Sequence, residues 1–306
     1  MQNTRKNNAF ALSIVLWIVA AILLGIAFTV KLSKNQLDIT KLLESKLQTR
    51  LQAESVLEIL KFTILTSNFN SSTIFSIPST PIKLPTKIIL DGRDYNIDDN
   101  ITFSLLDTSS LLNVFSPLPS QIASLATNNN QKSLYFTIRD STLDWIDTDN
   151  IERLNGAEES FYHLHTNKNF TPRNSPDIQG IEELKLIHGI DQFDTQDWQH
   201  LKKYLYYGNG ATLNLFLADQ YMLEKILHLN PIDAQALFNN RNFQEFYSKI
   251  IKNPYYNEYL MGFALSLEIK LHIEVSKGSS RSIIETLIDF RPSKAHTFTV
   301  EEEKIY

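Results

Sequence analysis

An apolar run without a single ionisable side chain extends from Phe10 to Val30 and reads FALSIVLWIVAAILLGIAFTV. It follows a polar leader, MQNTRKNNA, which contains Arg5 and Lys6, and it is followed directly by Lys31 and Lys34. About 20 apolar residues, each rising 1.5 Å in a helix, match the hydrocarbon thickness of a bilayer. The run therefore predicts one transmembrane helix, with the bulk of the chain beside the membrane.

The boundary between the leader and the apolar run leaves two interpretations open. A cleaved secretory signal has a shorter apolar region and an Ala-x-Ala-like exit, which this run lacks. A signal anchor that stays whole is the simpler interpretation. The other is a cut between Ala9 and Phe10, where type IV prepilins and pseudopilins are cleaved on the cytoplasmic side while keeping their hydrophobic helix. Arg5 and Lys6 in a short leader favour a cytoplasmic N-terminus, although Lys31, Lys34 and Lys41 oppose them.

The composition of the whole chain limits the classes of function. Hydrophobic residues make up 43% and charged residues 21%, which is enough for a packed core, and about 270 residues after the anchor allow one or two domains. The net charge of −5, without a basic patch, argues against nucleic acid as a partner. Because the chain has no cysteine, disulfides, a thiol nucleophile and cysteine-ligated zinc are excluded.

The apolar run predicts a helix that continues beyond the membrane. Leu43, Leu47 and Leu51 recur every four residues, followed by Val56 and Leu60, with charged and amide side chains between them. This pattern predicts an amphipathic helix to residue 66, whose apolar stripe is free to pack on a domain or on a neighbour.

The remaining pattern predicts an α+β fold. Lys87 to Leu90 favours a strand, Asp91-Gly92 a turn, and Tyr95 to Leu106 a further strand. Helical patterns follow, and alternation returns after Phe263. We expect a long N-terminal helix packed on a small antiparallel sheet, with a large all-α insertion. The predicted parts are a leader (1–9), a transmembrane helix (10–30), an amphipathic helix (31–66), an αβ domain (67–108 and 256–306) and a helical insertion (109–255).

The best candidate site is the acidic segment that starts at Asp144. Asp147 and Asp149 are two residues apart in a predicted loop, and Glu158 and Glu159 are near in sequence. Carboxylates in a flexible loop suit calcium, a hard cation that takes 6–8 oxygen ligands, although the EF-hand spacing is absent. The alternative is structural, because Asp residues commonly start turns and cap helices.

No motif in the sequence predicts an enzyme. There is no nucleophile elbow, S-x-x-K or phosphate-binding loop. His163 and His165 are metal ligands by type, but residues two apart do not share a helix face, and the simpler interpretation is a surface pair. We therefore expect a protein without catalytic residues. A membrane-anchored periplasmic enzyme or binding protein with residues dispersed along the chain is the alternative.

The stretch from Leu143 to Gly189 resembles the K-type minor pseudopilin of type II secretion, the large subunit at the tip of the pseudopilus. It is similar to that family's pattern L-x-D-W-x-D-x-D, then G-A-E, an aromatic pair, P-x-N-x-P and E-E-L-x-x-x-x-G. The matching residues are Asp144, Trp145, Asp147, Asp149, Gly156, Ala157, Glu158, Phe161, Tyr162, Pro172, Asn174, Pro176, Glu182, Glu183, Leu184 and Gly189. The apolar N-terminus and Asp91-Gly92-Arg93-Asp94-Tyr95 also resemble the family, as do the segments LNVF and LNLF.

The resemblance implies a cofactor and partners. It implies calcium bound by carboxylates of the insertion, with Asp144, Asp147, Asp149, Glu158 and Glu159 as candidates. The implied partners are the I-type and J-type minor pseudopilins, other pseudopilins, the prepilin peptidase and the bacterial inner membrane, with the C-terminal domain in the periplasm. The long helix and its leucine stripe would carry the assembly.

Two positions depart from pseudopilins in general. Ala9 stands where the residue before the cut is usually glycine. Ile14 stands where most pseudopilins have a glutamate that pairs with the N-terminus of the subunit ahead, and the K type lacks it too. Because a carboxylate in lipid needs a partner and a tip subunit has none ahead, an apolar residue is expected at the tip. A bulky insertion is likewise tolerated at the end of a filament.

Overall fold

The computed structural model describes residues 4–128, 130–165, 171–208, 212–239, 242–291 and 299–305. The helices in these ranges are α1 (Thr4–Thr66), α2 (Pro119–Ala126), α3 (Lys132–Ile146), α4 (Glu159–His165), α5 (Thr195–Lys202), α6 (Gln220–Ile226), α7 (Pro231–Asn239) and α8 (Phe243–Ile250). Short 3-10 helices lie at Thr108–Ser110 and Ile181–Leu186.

The strands in the same ranges are β1 (Asn68–Phe69), β2 (Thr73–Phe75), β3 (Lys87–Ile89), β4 (Asp91–Asp98), β5 (Ile101–Asp107), β6 (Leu112–Asn113), β7 (Leu205–Tyr206), β8 (Leu213–Asn214), β9 (Met261–Gly262), β10 (Glu268–Lys277), β11 (Ser280–Asp289) and β12 (Thr299–Ile305). The main sheet is antiparallel, in the order β12-β11-β10-β5-β4. A small antiparallel sheet, β1-β2-β3, leads into it. The predicted α+β class, with a long helix on a small antiparallel sheet, is confirmed.

The first helix, α1, changes its environment halfway along its length. No side chain from Ser13 to Glu44 is buried. Its first contacts with the sheet are a hydrogen bond from Ser45 Oγ to the Lys277 carbonyl (3.3 Å) and one between the Thr49 and Ser282 hydroxyls (2.9 Å). From there its apolar face is buried against β10 and β11, through Ala53, Val56, Leu57, Leu60 and Ile64.

Strict alternation explains why the sheet has one apolar face. In β10, Ile269, Leu271, Ile273 and Val275 are buried, and these residues join Phe103 of β5 in one core with the C-terminal part of α1. Successive strand residues point to opposite faces, so a period of two puts all these side chains on the same side. The leucine stripe of α1 lies elsewhere, since Leu43, Leu47 and Leu51 are 61%, 58% and 54% exposed.

The segment between β5 and β10 has a hydrophobic core of its own, built on α2–α8. This segment also contains two short parallel strand pairs, β6 with β7 and β8 with β9, each two residues long. The segments LNVF and LNLF supply β6 and β8. In both, the asparagine accepts a hydrogen bond from the backbone two residues on: Phe115 donates to Asn113 (3.0 Å) and Phe216 to Asn214 (3.1 Å).

Two expectations about strand and domain boundaries differ from the structure. The Asp91-Gly92 pair lies inside the edge strand β4, where Gly92 has a φ of +80° at an irregularity in the pairing with β5, and the turn falls at residues 99–100. Tyr256, Leu260 and Phe263, which the sequence assigned to the αβ domain, pack on the core of the insertion. That core therefore extends beyond residue 255.

Candidate metal centre

Three carboxylates meet where α3 ends. Asp144 lies in the last turn of α3, Asp147 is its C-terminal capping residue, and Glu158 immediately precedes α4. One oxygen from each lies within 4.8 Å of the others, and we call these three side chains the carboxylate cluster. Asp144 is fully buried and Glu158 is 2% exposed. Charged carboxylates are rarely buried without a partner, so the carboxylate cluster is a candidate site for a cation.

The loop between Asp147 and Glu158 folds back onto α3 through specific contacts. Asn155 Nδ2 donates to Asp140 Oδ2 (3.0 Å), and the Arg153 backbone N–H donates to Asp144 Oδ2 (3.2 Å). Gly156 lies so close to the Asp144 carboxylate that any Cβ there would overlap it. A glycine at this position is therefore a requirement of the close approach between the loop and the helix.

A guanidinium partly neutralises the carboxylate cluster. Nη1 of Arg153 donates to Asp144 Oδ1 and also to Asp147 Oδ2, the latter at 2.5 Å. Arg153 was not among the site residues predicted from the sequence. A lone basic residue within an acidic loop was the signal that could have indicated it.

Glu158 is the carboxylate that the guanidinium does not satisfy. Among the described residues, neither of its buried carboxylate oxygens has a hydrogen-bond partner, and Asp147 Oδ1 has none either. Burial raises the pKa of Glu158 to about 7, and the negative charges of Asp144, Asp147 and Asp149 contribute. Burial also raises the pKa of Asp144, with the hydrogen bonds from Arg153 opposing the shift. An orphaned, buried carboxylate beside two others fits a hard divalent cation, which takes oxygen ligands.

Trp145, the residue after Asp144, makes polar and aromatic contacts with other parts of the insertion. The Trp145 indole N–H donates to Glu183 Oε1 (2.9 Å), and Arg173 Nε donates to the same oxygen (2.7 Å). Burial by itself raises the pKa of Glu183, but the hydrogen bonds from Arg173, Trp145 and the Gln179 backbone N–H together lower it. Tyr162 is fully buried, packs edge-on against Trp145 at 5.5 Å between ring centroids, and accepts a hydrogen bond from the His188 backbone N–H.

The structure separates the remaining two predicted ligands from the carboxylate cluster. Asp149 Oδ1 accepts a hydrogen bond from the Ile151 backbone N–H (2.8 Å), which is the turn-forming role named as the alternative. The Glu159 side chain is 47% exposed, and its Oε1 lies 3.3 Å from His163 Nε2. Glu158, Glu159 and His163 together line a cavity of about 360 Å³ that opens beside the cluster. The predicted ligand set as a whole stays a prediction.

The predicted cleavage and assembly residues all lie on α1. Ala9 and Phe10 are in its first turns, and their side chains are outside the described ones. Ile14 is 45% exposed. By length and composition, α1 from Ser13 onward contains a stretch able to cross a membrane.

The similarities of the chain to known proteins lie among solved structures. No family model matches the chain. No curated protein matches it either. Among solved structures, the chain is similar to one in the crystal structure of the GspK-GspI-GspJ complex from the type 2 secretion system of enterotoxigenic Escherichia coli. The similarity covers 86% of this chain and 96% of that chain, with 17% sequence identity and a TM-score of 0.49.

Proposed function

We propose that the chain is a minor pseudopilin at the tip of a type II secretion pseudopilus, where it initiates or caps assembly. In this role α1 anchors it in the inner membrane, its N-terminus is cytoplasmic, and its folded part lies in the periplasm. The observation that carries the proposal is the division of α1. One helix contains a membrane-length apolar run, then an exposed leucine stripe, then a segment buried on its own sheet.

The exposed stripe is the part of α1 that needs a partner. Leu43, Leu47 and Leu51 lie beyond the apolar run and are more than half exposed. A contiguous apolar strip of this kind marks an interaction surface. Helices with apolar residues at regular spacing pack against one another along such strips. The α1 helices of the I-type and J-type pseudopilins and of further pseudopilins are the proposed partners.

The carboxylate cluster has a structural role in this proposal. Asp144, Asp147 and Glu158 would hold calcium, which supplies a divalent positive charge and coordination to several oxygens at once. Bound there, it would join the end of α3 to the start of α4 and fix the loop between them. No catalytic role is proposed for any of these residues.

Co-purification from membranes tests the proposal. The full chain, co-expressed with the I-type and J-type partners and extracted in detergent with calcium, is expected to elute with both. Leu47→Glu should abolish co-elution, because it introduces a charge into the leucine stripe. Ile232→Glu is the matched control, since Ile232 is 77% exposed on α7 and should leave co-elution unchanged.

Mass analysis of the N-terminus separates the proposal from its alternative. A prepilin peptidase is expected to cut between Ala9 and Phe10 and leave the apolar run in place. A chain that stays whole and elutes alone under every calcium condition would contradict the proposal. It would favour a membrane-anchored periplasmic binding protein or enzyme.

A further inference from the structure

The Arg153 side chain binds two of the three carboxylates in the carboxylate cluster. A single nitrogen, Nη1, donates to Asp144 Oδ1 and to Asp147 Oδ2. The backbone of the same residue holds the other oxygen of Asp144. Two carboxylates thus converge on one cationic nitrogen, while both oxygens of the third, Glu158, and the second oxygen of Asp147 have no hydrogen-bond partner among the described residues.

We infer that Arg153 is an internal counter-ion that competes with a divalent cation for Asp144 and Asp147, and that its guanidinium leaves them when the cation binds. This inference rests on the cation site described under the proposed function. It concerns regulation of that site and adds no ligand to it.

Competition follows from the atoms that are shared. Calcium binds oxygens at 2.3–2.6 Å, and the guanidinium already uses one oxygen from each aspartate. Two cations on the same oxygens repel each other, and this repulsion is strong where water is largely excluded. A bound ion therefore weakens the contacts of Arg153 with Asp144 and Asp147, and the guanidinium in turn weakens binding of the ion.

The exchange favours the ion because only the ion can satisfy Glu158. Arg153 contacts two of the three carboxylates, and neither oxygen of the third, buried one has a hydrogen-bond partner among the described residues. A divalent ion carries twice the charge of the guanidinium and accepts more oxygens. Breaking the pairs with Arg153 opposes this gain and sets the calcium concentration at which the site fills.

The released guanidinium has a path into solvent. The Arg153 side chain is 36% exposed, and its neighbour Leu154 is 96% exposed, so the arginine can turn outward without unpacking the core. When calcium is scarce, Arg153 holds the loop against α3. The loop is therefore expected to keep its fold in both states, with one cation replacing the other.

Calorimetric titration of calcium chloride into the full chain in detergent is the first test. Arg153→Gln should tighten calcium binding by at least about tenfold, because charge-assisted hydrogen bonds no longer have to be broken. Arg153→Lys, which keeps the charge but loses the planar fork, should tighten it less. Glu158→Gln should weaken it. Calcium affinity that is equal or weaker in Arg153→Gln, or no calcium binding in either protein, would overturn the inference.

Chemical modification distinguishes displacement from a simple change of charge. Phenylglyoxal modifies accessible guanidinium groups, and peptide mass analysis reads the rate at each arginine. Calcium is expected to speed modification of Arg153 several-fold and to leave Arg93 unchanged, since Arg93 is paired with Asp91 in β4. An unchanged or slower rate at Arg153 would contradict displacement. Both tests use the chain without partners, so failure of pseudopilin assembly does not affect their outcome.

Discussion

The carboxylate of Asp107 accepts two hydrogen bonds from Ser266, one from the backbone N–H at 3.0 Å and one from the hydroxyl at 2.7 Å. Asp107 ends β5, where the chain enters the insertion, and Ser266 lies just before β10, where the chain returns to the sheet. Ser109 and the Leu267 backbone complete a buried set of donors around the same carboxylate. One acidic side chain therefore joins the point where the chain leaves the sheet to the point where it returns to it.

Replacement of Asp107 is expected to loosen this junction. Asp107→Asn puts an amide NH₂ among backbone N–H and hydroxyl donors, so at least one buried donor loses its acceptor. We expect the free energy of unfolding to fall by about 3 kcal/mol in urea titrations. Asp98→Asn is the control, because Asp98 is exposed and its side chain accepts one bond, from Asn100. Equal losses in the two variants would contradict the role given to Asp107.

Gly156 offers a steric test of the carboxylate cluster. Gly156→Ala adds a Cβ that overlaps the Asp144 carboxylate, so Asp144 or the loop must move. Calcium binding measured by calorimetry should weaken by at least about tenfold, in line with the cost of misplacing a ligand. Gly180→Ala is the matched control, since a Cβ at Gly180 meets nothing within 4 Å. Unchanged binding in Gly156→Ala would argue against Asp144 as a ligand.

The pKa of Glu158 predicts an unusual pH dependence in metal-free protein. Its ordinary value is 4.5 and burial raises it to about 7, so between these values the folded chain binds a proton that the unfolded chain has released. Stability should therefore fall as pH rises from 4.5 to 7 and then level off. Glu158→Gln should remove about 2–3 kcal/mol of this fall, measured by urea unfolding with a chelator present. Glu159→Gln, which changes an exposed neighbour, should keep the wild-type slope.

Calcium itself should stabilise the insertion. A ligand that binds only the folded state adds about 2.7 kcal/mol at a concentration one hundred times its dissociation constant. Trp145 follows Asp144 in the last turn of α3 and packs against Tyr162. Thermal unfolding followed by tryptophan fluorescence, to which Trp17, Trp145 and Trp198 all contribute, should shift upward with calcium in the wild type and not in Glu158→Gln. A shift of equal size in both proteins would place the calcium elsewhere.

The sequence predicted those features that depend on local composition and periodicity. The length of α1 follows from an apolar run that passes into an amphipathic pattern, and β10 follows from nearly perfect alternation. The Asp91-Gly92 pair was misinterpreted, because a positive φ at glycine serves an irregular strand as well as a hairpin turn.

Long-range contacts account for what the sequence did not predict. That Tyr256 and Leu260 belong to the insertion depends on β9 pairing with β8, which lies nearly fifty residues earlier. At the candidate site, residue types alone gave five equivalent acids. Which of them converge depends on how the loop after Asp147 turns back through Arg153 and Gly156.

The exposed part of α1 determines how far the folded part lies from the apolar run. The apolar run ends at Val30, and the first contact between α1 and the sheet is at Ser45. At 1.5 Å per residue, the intervening helix spans about 20 Å. With the apolar run in a bilayer, the acidic folded part would stand on a stiff stalk more than twice the ~8 Å screening length of physiological salt. The anionic headgroups would then exert little force on the folded part.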